Sequence, residues 1–231
     1  MRPEELQAVM GSNKRARYFY YFWQTESVYE IHIHSKYNET GESRFDIALI
    51  RLETSQELER NKLWPVCLPS SSVDSYAENS VTVIGWGKLS REEEKSSART
   101  LQRLEGRVIS QETCQNQRAD ITIGGPMMCF QSEQGALCSE DSGGEMFTRD
   151  GNTVQLIGVC SLGPVNDMHC IPGSTKVFTK LAHPRVLDWM RETIGVEKLS
   201  MENCGVTNPA VRISESLIDK AIDFFKGRQV I

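Results

Sequence analysis

The chain has 231 residues, a hydrophobic fraction of 39%, 17 glycines and 8 prolines, which suits one large or two small globular domains with a sizeable core. Its formal net charge of -5 is spread without a basic stripe, which argues against nucleic acid or an anionic membrane surface as the main partner. No apolar run approaches the roughly 18 residues of a membrane helix, and the opening "MRPEELQAVM" lacks the apolar segment of an export signal.

In chain order, "VYEIHIH" (28–34) alternates, with Tyr29, Ile31 and Ile33 on one face and Glu30, His32 and His34 on the other, and predicts a half-buried strand. "FDIALIRL" (45–52), "SVTVIGWGKL" (80–89), "VQLIGVCSLG" (154–163) and "STKVFTKL" (174–181) are short apolar runs rich in β-branched residues, with turn residues between them. Regular short strands predict an antiparallel barrel or sandwich. The period then changes in "HPRVLDWMRETIG" (183–195), where Val186, Leu187, Met190 and Ile194 share a helical face and Gly195 is placed as a stop. Beyond it, "SESLIDKAIDFFKG" (214–227) carries a Ser216-to-Asp219 capping pattern and an apolar side of Leu217, Ile218, Ala221, Ile222 and Phe225, predicting a second amphipathic helix that docks on the body of the protein or a neighbour.

There are seven cysteines, none in a CxxC or Cys/His ligand cluster. That distribution fits disulfides in an oxidising compartment better than zinc. "NET" at Asn38–Thr40 is a candidate glycan acceptor in the same direction. Together they predict an extracellular protein whose true N-terminus lies upstream of Met1. His32 and His34, two apart on a strand, offer a pair of metal ligands but no evident third, so neither metal nor cofactor is expected.

The chemistry concentrates in "CSEDSGGEMF" (138–147), where Ser142 stands between Asp141 and two glycines. A serine is a weak nucleophile without a base to take its proton, and alone the pattern reads equally as a glycine-rich turn. Its neighbours in sequence decide the matter. "FDIALIRL" with Asp46 near its head, "PVCLP" (65–69), "VIGWG" (83–87) and "HPRVLDWM" (183–190) occur in an order and spacing that resemble the trypsin-like and chymotrypsin-like serine proteases, from about residue 2 to 195.

That resemblance implies an all-β fold of two antiparallel barrels, with residues 1–86 an incomplete first barrel, 87–195 a second barrel with its closing helix, and 196–231 an extra tail. It implies peptide-bond hydrolysis by acyl transfer, with Ser142 as nucleophile and Asp46 as the acid that orients a histidine. The histidine belongs to an Ala-Ala-His-Cys segment well before Asp46. The chain opens with residues that resemble those just after that segment, so the base is missing. Of the four histidines, His34 and His32 read as surface residues, His169 lies beside Cys170 in a loop, and His183 precedes Pro184 at a helix start. None matches a base position.

Other departures gather around the serine. Glu140 stands where the family has the glycine whose amide helps, with that of Ser142, to form the oxyanion hole, in a conformation that a side chain disfavours. Glu145 replaces a proline. Asp141 matches the aspartate that accepts a new amino terminus on activation, but no "IVGG"-like sequence is present to supply one. In the implied substrate pocket Ala136 replaces the aspartate of trypsins, and Ser161, Leu162 and Gly163 replace a Ser-Trp-Gly wall. Lys176 takes the place of a small glycine, where it either turns to solvent beside an occluded pocket or selects an acidic side chain.

The resemblance also pairs Cys114 with Cys129 and Cys138 with Cys170. It leaves Cys160 as a buried free thiol, and Cys67 to pair with Cys204 or with an upstream segment. Two functions stay open: a secreted endopeptidase domain acting on protein or peptide substrates but inactive in this form, or a protease homologue that binds a protein partner.

Overall fold

The computed structural model describes residues 2–15, 24–37, 44–56, 63, 65–69, 72–73, 75–89, 97–150, 153–163 and 170–195. The tail helix, Cys204, Asn38 and His169 lie outside the described residues.

Among the described residues, nine strands and two α-helices make up the regular structure. After a short 3-10 turn at Pro3–Glu5, strands β1 (Gln7–Met10), β2 (Gln24–Ile33) and β3 (Ala48–Leu52) form an antiparallel sheet in that order. Six further strands, β4 (Ser80–Gly85), β5 (Gln102–Ile109), β6 (Met127–Gln131), β7 (Glu145–Asp150), β8 (Thr153–Leu162) and β9 (Lys176–Lys180), close a barrel in the order β4-β5-β6-β9-β8-β7. Helix α1 (Gln111–Gln117) follows β5, with the Ser110 hydroxyl accepting the Thr113 N–H as its N-cap. Helix α2 (Pro184–Ile194) ends the described chain. The architecture is that of the chymotrypsin-type fold: mostly β, with one closed barrel, a second sheet and a C-terminal helix.

All five predicted strands, the alternating one and the four apolar runs, are present. β4, at residues 80–85, pairs with β5 and β7 and is therefore a strand of the closed barrel. The barrel is filled by Val81, Val83, Val108, Met128, Phe130, Met146, Ile157 and Phe178. Phe130 and Phe178, from neighbouring strands, meet edge to face at 6.0 Å, the arrangement that ring quadrupoles favour.

In β2 the predicted alternation is present but its apolar face is not buried. Tyr29 and Ile33 are 61% and 54% exposed, while Val28 is buried. The pairing with β3 shifts register between Val28 and Glu30; such an irregularity breaks the phase of alternation along a strand. The Arg51 guanidinium lies over the Tyr29 ring, 5.1 Å from its centroid, and covers part of it.

Helix α2 joins the two sheets. Val186, Leu187 and Met190 are buried against Leu181 and Phe45, with Ile47, Leu49, Leu68, Leu156 and Val159 packed around them. That cluster fixes the segment leading into β3 against β8, and so places Asp46. Gly195 caps the helix with φ of 75°, a left-handed value that costs glycine nothing. Ile194, expected on the buried face, is 51% exposed because the last turn runs past the core.

Candidate active site

Asp46 lies just ahead of β3 and is held from two strands of the barrel. Its Oδ2 accepts the Ser161 hydroxyl at 2.7 Å, and its backbone carbonyl accepts the Thr179 hydroxyl at 2.8 Å. Burial raises the carboxyl above its ordinary range, and the Ser161 bond works against that rise. Ser161, read from sequence as pocket wall, thus turns its hydroxyl to Asp46. Leu162, its neighbour, is half-buried against the cluster of Ile109, Cys114, Ile123, Met127, Cys129 and Val177.

Ser142 sits in a tight loop between Asp141 and β7, and its residue is exposed. The loop is bonded to β8: Gly143 N–H donates to the Cys160 carbonyl at 2.9 Å, and Cys160 N–H to the Gly144 carbonyl at 2.8 Å. Ser161 follows Cys160 directly, so one end of β8 carries both the serine loop and the hydroxyl that holds Asp46. The structure therefore brings the two expected members of the device to the same strand.

No histidine joins them among the described residues. His34 is buried, not on the surface as its strand face suggested, and stacks on Phe45 at 4.5 Å and on Trp189 at 4.9 Å. The β2 ladder ends at Ile33, and His34 turns into the core under α2. Its Nδ1 accepts the Lys36 N–H at 3.1 Å, which places the proton of the neutral ring on Nε2. His32 remains partly exposed, 3.2 Å from Glu30 Oε2, so the two histidines do not converge as metal ligands would. His183 caps α2 and meets the Phe45 ring edge-on at 5.8 Å.

Glu140 adopts φ of 74°. This is the left-handed conformation foreseen for a glycine position, and a side chain makes it costly. Its carboxylate is accounted for: Oε2 accepts Arg15 Nη1 at 3.0 Å and the Ser97 hydroxyl at 2.8 Å. Partial burial raises its pKa, but Ser97, Arg15 and the charge of Lys88 outweigh that and hold it below the ordinary range.

Asp141 is turned inward and buried, with Oδ1 accepting Gly87 N–H and Oδ2 accepting Cys138 N–H, both at 2.8 Å. The glycines of "IGWG" make this possible, since a Cβ on Gly85 or Gly87 would collide with the Asp141 carboxylate. Burial raises the Asp141 carboxyl, opposed by those two N–H donors and by Lys176.

Lys176 does not turn to solvent. It is 3% exposed at the start of β9, because its backbone pairs with Phe130 of β6 and its side chain enters the interior. Burial lowers its pKa, opposed by its interactions with Cys160 and Asp141. Ala136 and Gly163 are half-buried. Cys114 pairs with Cys129 and Cys138 with Cys170, Cys160 is free and buried, and Cys67 is in a disulfide; Cys204, one of the two partners expected for Cys67, lies outside the described residues. Arg15 and Ser97 were not singled out from sequence, and no local signal marks them: Arg15 is 125 positions from the residue it holds. Gly87 carried a signal in its motif.

The family model described as Trypsin matches residues 4–190. Bovine (Bos taurus) coagulation factor XI is 31% identical over 167 residues, covering 71% of this chain and 25% of the relative, and human (Homo sapiens) testisin is 27% identical over 193 residues, covering 78% and 58%. The chain belongs to the trypsin-like serine protease family. It spans about a quarter of the length of the first relative and somewhat over half that of the second. No helix among the described residues is long and apolar enough to cross a membrane.

Proposed function

We propose that the chain is a secreted serine endopeptidase domain in which hydrolysis through Ser142 is silent. One observation carries this reading: the Asp46 carboxylate is bonded to Ser161, and none of the described histidines bonds to Asp46 or to Ser142. Without a base, the serine hydroxyl stays protonated, and the site retains only what binding and amide donors supply, on the order of 10³ to 10⁴ over water. Disulfides within the barrel and a relative named as a coagulation factor support an extracellular setting and a protein or peptide as the molecule recognised.

Glu140 favours a second reading, in which the surface around Ser142 binds a protein without cleaving it. A left-handed glutamate whose carboxylate is built into contacts with Arg15 and Ser97 is a structural part of the loop, and it stands where the resemblance implies an oxyanion donor. The test is hydrolysis of a broad peptide library by the purified chain beside Ser142→Ala. Equal, background cleavage by both supports the reading. Cleavage by the chain alone overturns it.

A further inference from the structure

Four segments meet at Glu140. Asn13 and Arg15, just after β1, are bonded to the 99–101 segment: Arg15 N–H donates to the Arg99 carbonyl at 2.8 Å, and Leu101 N–H to the Asn13 carbonyl at 2.6 Å. Ser97 is bridged to Lys88, and Lys88 N–H donates to the Ser139 carbonyl at 2.9 Å. Into this junction the Glu140 carboxylate brings its single shared oxygen, Oε2, taking one bond from the Arg15 guanidinium and one from the Ser97 hydroxyl. The side chains of Arg15 and Glu140 are 30% and 31% exposed, so the contact is partly withdrawn from water.

The backbone there needs such support. Glu140 has φ of 74°, and for a residue with a side chain the left-handed region is disfavoured by roughly 5- to 30-fold in population. The next residues are Asp141, whose carboxylate is fixed by Gly87 and Cys138, and Ser142. A relaxation at Glu140 would therefore rotate the peptide that enters the serine loop. Two charge-assisted bonds on one oxygen are of the right strength to resist it.

We propose that Arg15 and Ser97 form a latch that holds Glu140 in its left-handed conformation and thereby sets the shape of the 139–144 loop that presents Ser142. Arg15 is on this account a positioning residue, and it ties the conformation of the serine loop to the segment after β1. The latch acts on loop geometry alone, whether or not the site turns over substrate.

Glycine separates this from a merely structural contact, because it adopts the same φ without cost. The experiment is hydrogen exchange of the Gly143 and Gly144 amides, bonded to the Cys160 and Asp141 carbonyls, in the full chain, Arg15→Ala, Glu140→Gly and the double variant. Arg15→Ala should speed exchange of those two amides about tenfold, and Glu140→Gly with or without Arg15 should match the parent. Unchanged exchange in Arg15→Ala overturns the latch, and so does an equal rise when Arg15→Ala is added to Glu140→Gly. Should Arg15→Ala fail to fold, Ser97→Ala with and without Glu140→Gly gives the same comparison, with a smaller rise expected only where Glu140 is retained.

Discussion

Ser161 Oγ and Asp46 Oδ2 lie 2.7 Å apart across 115 positions of sequence, and this bond connects the end of β8 to the segment that opens β3. Ser161→Ala leaves a largely buried carboxylate without its hydroxyl donor, and a hydrogen bond to a charged group contributes about 1.5–3 kcal/mol. Asp46 already has its folded pKa raised by burial, so its stabilising effect is greatest in acid and declines as pH rises from about 3.8 through the folded value. Losing Ser161 raises that pKa further. Urea unfolding should therefore show a deficit in Ser161→Ala that is small near pH 3 and grows to its full size by neutral pH. A deficit independent of pH would assign the effect to packing instead.

The histidines give the opposite slope. His34 and His183 have folded pKa values lowered first of all by burial. The unfolded chain then takes up protons before the folded one, and stability is lost as pH falls from about 6.5 toward the folded values. His34→Phe keeps a ring against Phe45 and Trp189 and removes the titration. Its Tm should fall less between pH 7 and pH 5 than that of the parent, and parallel curves would show that folding does not lower the His34 pKa.

Much of the barrel is legible in sequence because its strands bury β-branched residues, as "SVTVIG" and "KVFTK" do. β5 is hidden by its composition: "QRLEGRVI" carries three charges and a glycine in its interior. Gly106 is there because a Cβ would strike the Phe130 ring and the Gln131 carbonyl, a reason that exists only once β5 and β6 are paired. β6 and β7, "MMCFQ" and "EMFTRD", lack β-branched runs and are hidden in the same way. At the site, Ser142, Asp46 and Asp141 could be named from motifs, and Glu140 from the glycine it replaces. The burial of His34 and Lys176 could not, since it depends on α2 and β6 closing over them. Arg15 is found only through a contact between distant segments.

Gly87 offers a packing test of the loop. Gly87→Ala places a methyl group on the Asp141 carboxylate, and overpacking a filled interior costs about 1–3 kcal/mol. Denaturant unfolding should show a loss of that size, with Gly87→Ala also speeding exchange of the Cys138 amide that Asp141 holds. An unchanged midpoint would mean that Asp141 is not seated where its two N–H donors place it.

Cys160 should be chemically silent in the folded protein. It is buried and its thiol is pushed up to about 12 by burial, so little thiolate exists to react at pH 8. Iodoacetamide should label it only in denaturant, while peptide mapping without reduction recovers Cys114 with Cys129 and Cys138 with Cys170. Rapid labelling of Cys160 in the native protein would contradict its place between the serine loop and β9.

Ser142 is exposed and held in the serine loop, yet on the reading proposed here it has no base. A fluorophosphonate tests this directly, because it phosphonylates a serine only when the hydroxyl is activated for attack. Incubated with the purified chain, it should leave Ser142 unmodified in intact mass and peptide mapping, indistinguishable from Ser142→Ala. Stoichiometric modification of Ser142, absent from Ser142→Ala, would show an activated nucleophile and contradict the account.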